Sequence, residues 1–275
     1  MVDNAQIRPG DTIDNNQLRE IFKCGPQGGM RRSHKTNTLV IVSNHIKSIY
    51  DDRWMGDTFH YTGMGQEGDQ SLAFAQNKTL AESNNNGVDV HLFEVFQEQE
   101  YTYIGTVTLS GPPYFEEQPD ANGRIRNVCM FPLTVFGGEA PIIENKKALN
   151  PLKQKEKNAR RLSDAEVKER AARGRRQPGS RNVSSQQYDR DPWISEYAKR
   201  LANGVCQLCN KQAPFNKSGG EPYLETHHVI WLARGGEDTI ENTVALCPNC
   251  HRKMHVLDRT EDVVYLQEKA ASIQI

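Results

Sequence analysis

Two C-x2-C pairs, Cys206 with Cys209 and Cys247 with Cys250, share one stretch of the chain with four histidines, His227, His228, His251 and His255. The paired knuckles, in a chain whose start shows no basic and apolar export signal, read as a tetrahedral four-cysteine zinc site rather than a disulfide framework. The long gap from Cys209 to Cys247 means that something is inserted between them. Four thiolates complete a zinc shell, so the histidines need their own explanation. His251 and His255 are four apart in a run, Cys250 to Val256, that suits a helix, so both imidazoles project from one face as a chelating pair. His227 supplies a third ligand. Neighbours in an extended segment point in different directions, which leaves His228 free to take a proton from a water beside the metal. Asn242 follows Gly235-Gly236 and precedes Val244-Ala245-Leu246, where its amide can pin the His228 backbone. Metal-assisted hydrolysis needs this set: a water, a proton acceptor whose pKa is near ~6.5, and a cation to stabilise the developing charge. Glu225 is a candidate orienter of a ligand histidine. Arg234 reads as a solvated loop arginine, and the isolated Cys24 and Cys129 as small buried hydrophobes.

The elements that must position these residues are legible in part. The second half opens with a helix framed by Asp191-Pro192 and Asn203-Gly204, with Trp193, Ile194, Tyr197 and Leu201 on one side. The first 145 residues are β-rich. Thr38–Ser43, Val88–Phe96, Tyr101–Leu109 and Val128–Phe136 are short β-branched and aromatic runs bounded by turn formers such as Asn84-Asn85-Asn86-Gly87 and Gly111-Pro112-Pro113. Strands at this spacing predict a barrel or sandwich. Leu18, Ile21 and Phe22 add a short helix over Asn15–Phe22. Asn150-Pro151 opens a charged segment in which Ser163-Asp164-Ala165-Glu166 has capping-box form, predicting a helix from about Ser163 to Arg173. The polar stretch from Gly174 to Arg181 reads as a flexible tether.

Length and charge bound the reading. The 275 residues carry 34 basic and 35 acidic side chains and are 36% hydrophobic, which allows two domains with a core each. No run approaches the ~18 apolar residues of a membrane helix, so the expectation is a protein with no membrane partner that stays in the cytoplasm. The net charge of -1 hides a division: 1–145 hold 11 Lys+Arg against 19 Asp+Glu, 146–190 hold 14 against 5, and 191–275 hold 9 against 11. A concentrated basic segment between two acidic ones points to a polyanion partner.

Glu225-Thr226-His227-His228-Val229, Glu241-Asn242, Cys247-Pro248-Asn249-Cys250-His251 and His255 resemble the HNH (ββα-metal) nucleases with a four-cysteine zinc knuckle, over roughly Tyr188 to Leu257. The block Asn210–Phe215 with Pro222-Tyr223-Leu224-Glu225 is similar to McrA-type modification-dependent restriction enzymes. The resemblance implies His227, His251 and His255 as catalytic-metal ligands, His228 as general base and Asn242 as the residue that steadies the loop. Cys206, Cys209, Cys247 and Cys250 would bind structural Zn2+. The other site would take Mg2+, Mn2+, Co2+, Ni2+ or Zn2+, three imidazoles favouring the borderline metals.

A second resemblance covers roughly residues 8 to 145. Tyr61-Thr62-Gly63-Met64-Gly65, Gly68-Asp69-Gln70 and Asn77-Lys78-Thr79-Leu80-Ala81, preceded by Tyr50-Asp51-Asp52 and Gly56-Asp57-Thr58-Phe59, are similar to the SRA domain, which binds 5-methylcytosine in DNA. Gly28-Gly29-Met30-Arg31-Arg32 and Thr36–Val40 resemble its bacterial opening. The family implies a flipped base held between aromatic rings and read along its polar edge. On that reading Tyr50 and Tyr61 stack, with Trp54 a possible substitute for Tyr50, while Asp52 accepts from the exocyclic amine and Thr62 completes the edge. Arg31, Arg32 and Lys78 are candidate DNA contacts.

The expected fold is therefore α+β in two domains, an SRA-like (PUA-like) barrel followed by a ββα-metal HNH nuclease with a four-cysteine zinc knuckle. Residues 1–145 form the reader, 146–190 a basic, partly helical linker and 191–275 the nuclease. The expected function is modification-dependent restriction: base-flipping recognition of 5-methylcytosine, or a related modified cytosine, in double-stranded DNA and hydrolysis nearby. The resemblance also implies a homodimer, because one HNH site cuts one strand. The competing expectations are a non-catalytic methylated-DNA-binding protein, and an HNH nuclease whose first domain reads sequence or another modification such as phosphorothioate.

Overall fold

A computed structural model describes residues 7–172 and 178–272. The chain forms two compact units, residues 1–185 and 186–275. No helix among the described residues is long and apolar enough to cross a membrane.

In the first unit β1 (Thr12–Ile13) leads into α1 (Asn15–Phe22). The Asp14 carboxylate accepts from the amides of Asn16 and Gln17, and the Gln17 side chain accepts from the Asp14 amide, a reciprocal cap that fixes where α1 starts. Then come β2 (Met30–Ser33), β3 (Thr38–Asn44), β4 (Arg53–Met55), β5 (Thr58–Thr62), α2 (Ala75–Ala81), β6 (Asp89–Gln97), β7 (Glu100–Leu109), β8 (Tyr114–Pro119) and β9 (Ile125–Val135). These strands make one sheet of order β2-β3-β6-β7-β9-β5-β4, with β1 added on β7 and β8 on β9. β3 and β6 run parallel and the other pairs antiparallel.

Apolar residues cover both faces of this sheet, which is why its central strands read as continuous hydrophobic runs. Leu39 and Ile41 of β3 join Leu92, Phe59, Tyr61 and Phe131 in one core. Val40 and Val42, pointing the other way, join Leu18 and Phe22 of α1 with Phe93 and Tyr103 in a second. β2, β4 and β8 are short or rich in polar residues and carry little period-two signal, whereas β5 alternates, with Phe59 and Tyr61 buried, but over only five residues.

The basic segment departs from the expectation. β10 (Ile143–Glu144) runs into α3 (Asn145–Ala159), which begins before Asn150 and passes through Pro151. That proline forfeits one helical hydrogen bond, yet it is the helix's one buried residue, so its ring serves as the packing contact. α4 (Asp164–Ala172) follows, with Ser163 and Glu166 bonded to each other at its start. Residues 173–177, where Arg173 and the Gly174 stop were expected, lie outside the described residues. From Pro178 onward the expected flexible tether is instead laced to the sheet. The Ser180 amide donates to the Trp54 carbonyl, β11 (Val183–Ser184) pairs in parallel with β10, and Arg181 forms an ion pair with fully buried Glu94. A polar segment makes no core of its own, but backbone pairing and one buried charge suffice to dock it.

The second unit opens with α5 (Pro192–Ala202), capped by the Asp191 carboxylate on the Trp193 amide. β12 (Glu225–His228) and β13 (Thr243–Leu246) form an antiparallel pair in the register His227 to Val244 and His228 to Thr243. α6 (Pro248–Leu257) completes the ββα unit and α7 (Thr260–Ala271) follows. Ala202, Val244, Leu246, Met254, Leu266 and Ala270 form the core beneath the site.

Candidate functional site

Two donor clusters stand out in the second unit. The sulfurs of Cys206, Cys209, Cys247 and Cys250 all lie within 4.8 Å of one another, and those of Cys209 and Cys247 are 4.0 Å apart. Zn–S bonds of ~2.3 Å in tetrahedral geometry put sulfurs ~3.8 Å apart, so the set fits zinc. Burial opposes ionisation of Cys206, but the backbone amides of Cys209 and Cys247 outweigh it and bring that thiol down to about 7. A site that favours thiolate suits a metal.

The ring nitrogens of His227, His251 and His255 likewise fall within 4.8 Å of one another, with Nε2 of His251 and Nε2 of His255 3.0 Å apart. His227 comes from β12, the other two from one face of α6. Nε2 of His227 is buried and has no hydrogen-bond partner. An orphaned buried nitrogen beside two more imidazole nitrogens is what a cation would satisfy. Burial, then the neighbouring imidazoles, push His227 down to about 3, which keeps it neutral as a ligand must be. The Glu225 carboxylate sits 2.5 Å from Nδ1 of His251 and accepts from the Tyr223 hydroxyl, fixing the ring so that Nε2 faces the cluster. Tyr188, Arg190, Trp231 and the histidines line a cavity of about 130 Å³ here.

His228 alternates away from His227 on β12 and is 6% exposed. Its Nε2 lies 2.7 Å from Oδ1 of Asp238, whose Oδ2 accepts from the Asp191 amide. One carboxylate thus fixes both the His228 ring and the start of α5. Burial would raise the Asp238 pKa, yet the Asp191 amide and His228 hold it below its ordinary value. Sequence reasoning missed Asp238, because a carboxylate ten residues downstream in a Gly-rich loop carries no periodic or spacing signal.

Asn242 steadies the same loop, but not through His228 itself. Its side chain accepts from the Ile230 amide and donates to the carbonyls of Ile230 and Glu237, while its carbonyl receives the Val229 amide. The loop closes tightly enough that a Cβ on Gly236 would stand 2.0 Å from the Ile230 carbonyl oxygen. Arg234 is occupied by Asp258 and lies over the Trp231 ring.

In the first unit the structure gathers Tyr50, Asp52, Tyr61 and Thr62. The Thr62 amide donates to Asp52 Oδ1 at 2.8 Å, and the Tyr50 hydroxyl donates to the Gly65 carbonyl at 2.9 Å. Burial raises the Asp52 pKa, against the Thr62 amide, which lowers it. Tyr61 is 3% exposed, its hydroxyl donating to the Gly29 carbonyl, and it belongs to the apolar core as well as to this cluster. Trp54 is buried, with its Nε1 donating to Glu94. The loop after Thr62 is built by two amides. Gln70 donates to the Gly63 and Gly65 carbonyls, and Asn77 bonds both the amide and the carbonyl of Met64. A Cβ on Gly63 would stand 2.8 Å from Asn77 Oδ1 and 2.9 Å from Gln70 Oε1.

The three basic candidates are placed differently. Arg31, 6% exposed, donates to Gly28 and Asn15 and lies over the Tyr101 ring. Arg32 donates to the carbonyls of Ser33 and Thr38 and to Asn37. Both guanidinium groups are thus committed to partners within the first unit. Lys78 stands exposed on α2.

A β-rich unit with this loop and a ββα unit with these two clusters define a two-domain protein of the SRA and HNH classes. Residues 206–256 match the family described as HNH endonuclease. Residues 9–157, more than half of the chain, match the ScoMcrA-like SRA domain, and the chain belongs to that family. Over 91 residues it is 43% identical to the type IV methyl-directed restriction enzyme EcoKMcrA of Escherichia coli (strain K12), covering 33% of each chain. The chain therefore spans about a third of that relative. Among solved structures, the type IV phosphorothioation-dependent restriction endonuclease ScoMcrA is similar at 19% identity and a TM-score of 0.41, covering 97% of this chain and 63% of that one. The SUVH5 SRA domain in complex with methylated CHH DNA is similar at 24% identity and a TM-score of 0.38, covering 51% and 97%.

Proposed function

We propose that this chain is a modification-dependent DNA endonuclease in which the first unit reads a modified cytosine, 5-methylcytosine foremost, and the second hydrolyses phosphodiester bonds nearby. The observation that carries the reading is the convergence of three imidazole ligands on a cavity whose wall includes a fourth histidine held by a carboxylate. His227, His251 and His255 would hold a divalent cation, which when bound stabilises charge on the phosphate and the departing oxygen. His228, with Nε2–H donated to Asp238, has Nδ1 left to take the proton of the attacking water. As the new P–O bond forms, the bond to the 3′ oxygen breaks, and that oxygen leaves as a hydroxyl once protonated. Asp238 is a positioning residue that holds the ring in one tautomer and orientation. Asn242 keeps the loop between them closed. The four cysteines would bind zinc as structure.

In the first unit Asp52 would accept from the exocyclic amine of a flipped cytosine, Thr62 would complete its polar edge, and Tyr50 and Tyr61 would supply the rings. That the similar E. coli enzyme is methyl-directed supports a methyl group as the mark. Membership of the ScoMcrA-like SRA family favours a second reading, phosphorothioate in the backbone, since the relative ScoMcrA is phosphorothioation-dependent. Duplex oligonucleotides carrying cytosine, 5-methylcytosine, 5-hydroxymethylcytosine or a phosphorothioate, titrated with the full chain, separate these marks. Tightest binding to 5-methylcytosine, weakened by Asp52→Ala, supports the reader; equal binding to all four contradicts it. A homodimer in the cytoplasm completes the proposal, two copies supplying the two cuts of a double-strand break. Light scattering of the purified chain, alone and on DNA, tests the dimer.

A further inference from the structure

Arg126 on β9 stands opposite Gln118 of β8 and is 4% exposed. Its Nη1 donates to the Gly68 carbonyl at 3.0 Å, and the guanidinium lies against the Tyr50 hydroxyl. Its Nε and Nη2 have no acceptor, and no carboxylate forms an ion pair with it among the described residues. The other well-buried arginines are satisfied: Arg31 by Gly28 and Asn15, Arg53 by Glu116, Arg181 by Glu94. A desolvated guanidinium with no counter-charge is unfavourable, so a fold that keeps one is completed by something else.

The surroundings say where that partner enters. Gln118, across from Arg126, takes the Asp51 amide and donates to the Thr62 hydroxyl, so Arg126 shares one polar cluster with Tyr50, Asp52 and Thr62. Gly68 beside it has φ +64 and open space where a Cβ would be, leaving room for a ligand to approach the backbone. Nε–H and Nη2–H lie parallel along one edge of the guanidinium, the edge that matches two oxygens of a phosphate or carboxylate.

We propose that Arg126 is an anion contact of this pocket, its Nε and Nη2 edge taking an anionic oxygen of bound DNA. The proposal rests on the first unit being a DNA reader. That oxygen belongs either to the phosphodiester beside the read nucleotide or to an acidic substituent on the base.

The experiment compares full-length chain with Arg126→Met and Arg126→Lys, all in a His228→Ala background so that bound DNA stays intact. Affinity is measured by anisotropy over a salt series on 5-methylcytosine, 5-carboxycytosine and flanking-methylphosphonate duplexes, and melting temperature is measured beside it. Arg126→Met removes an uncompensated buried charge, so its melting temperature should hold or rise while affinity falls about 10-fold or more and the salt slope shrinks by about 1. Arg126→Lys restores the charge but not the fork, and should recover part of the affinity. A loss shared by all phosphodiester duplexes, and reproduced in the unsubstituted protein by one methylphosphonate, assigns the oxygen to the backbone. A loss confined to 5-carboxycytosine assigns it to the base. Unchanged affinity in Arg126→Met overturns the proposal and leaves the reader standing, as does a fall in affinity that only follows a fall in melting temperature. If the unsubstituted chain binds no duplex, the reader and this contact fall together.

Discussion

Among single residues, His228, Asp238 and Gly236 carry separate burdens: proton transfer, ring orientation and loop closure. Replacing His228 by Ala removes the proton acceptor and should lower single-turnover cleavage roughly 10²- to 10⁴-fold with DNA affinity unchanged. Asp238→Ala should lower kcat about 10- to 100-fold with little change in KM, and Asp238→Asn, which can still accept from Nε2, should recover part of that loss. Equal loss in Asn and Ala would mean that the negative charge, not the orientation, matters. Gly236→Ala drives a Cβ against the Ile230 carbonyl, a backbone clash that no rotamer relieves, and should destabilise the second unit by about 2 kcal/mol or more in urea unfolding. The two donor clusters are legible in the sequence because C-x2-C and His-x3-His spacing act through local geometry. Asp238 and Arg126 are not, since their partners are set by how a loop closes and how two strands register.

Among the elements, those with local signatures are the ones the sequence announces. α1 is delimited by the Asp14 and Gln17 cap, and α5 by Asp191 and Pro192. α3 is hidden because Pro151 reads as a break although the helix runs through it, and the docked 178–184 strap is hidden because its anchor, Glu94, is buried in a strand far away in sequence. That anchor gives the first unit an acid limb. Burial alone would raise the Glu94 pKa, but Arg181 and His45 hold it below its ordinary value. Its contribution is therefore present above the unfolded carboxylate pKa and lost as pH falls through the lowered one. His91 acts in the same direction at higher pH. Burial lowers it from 6.5 to about 4, so stability is full above 6.5 and declines as pH falls towards 4. Melting of the first unit should fall steadily from pH 7 to pH 4; a flat profile would contradict the burial of both groups. Arg181→Ala leaves Glu94 without its main counter-charge and should cost about 3 kcal/mol at pH 7. In the second unit, chelation of zinc should unfold the ββα element while the first unit keeps its own melting transition, read by calorimetry.

For the whole molecule, the order of the parts is what the sequence conveys best: a β-rich half containing the Tyr61–Gly65 loop, a basic connector and a half with two metal-ligand sets. What it does not convey is where the connector belongs. Its helix α3 and the strap pack with the first unit, because a polar segment docks through partners that only the folded sheet provides. On the proposed function, one chain both reads a modified cytosine and cuts DNA. Cleavage of a single plasmid, prepared with and without 5-methylcytosine, in Mn2+ and in Mg2+ and beside His228→Ala, tests it most directly. The methylated plasmid alone should be cut, and the substitution should abolish the cutting; equal cutting of both plasmids, or cutting that survives His228→Ala, would contradict a methylation-reading nuclease.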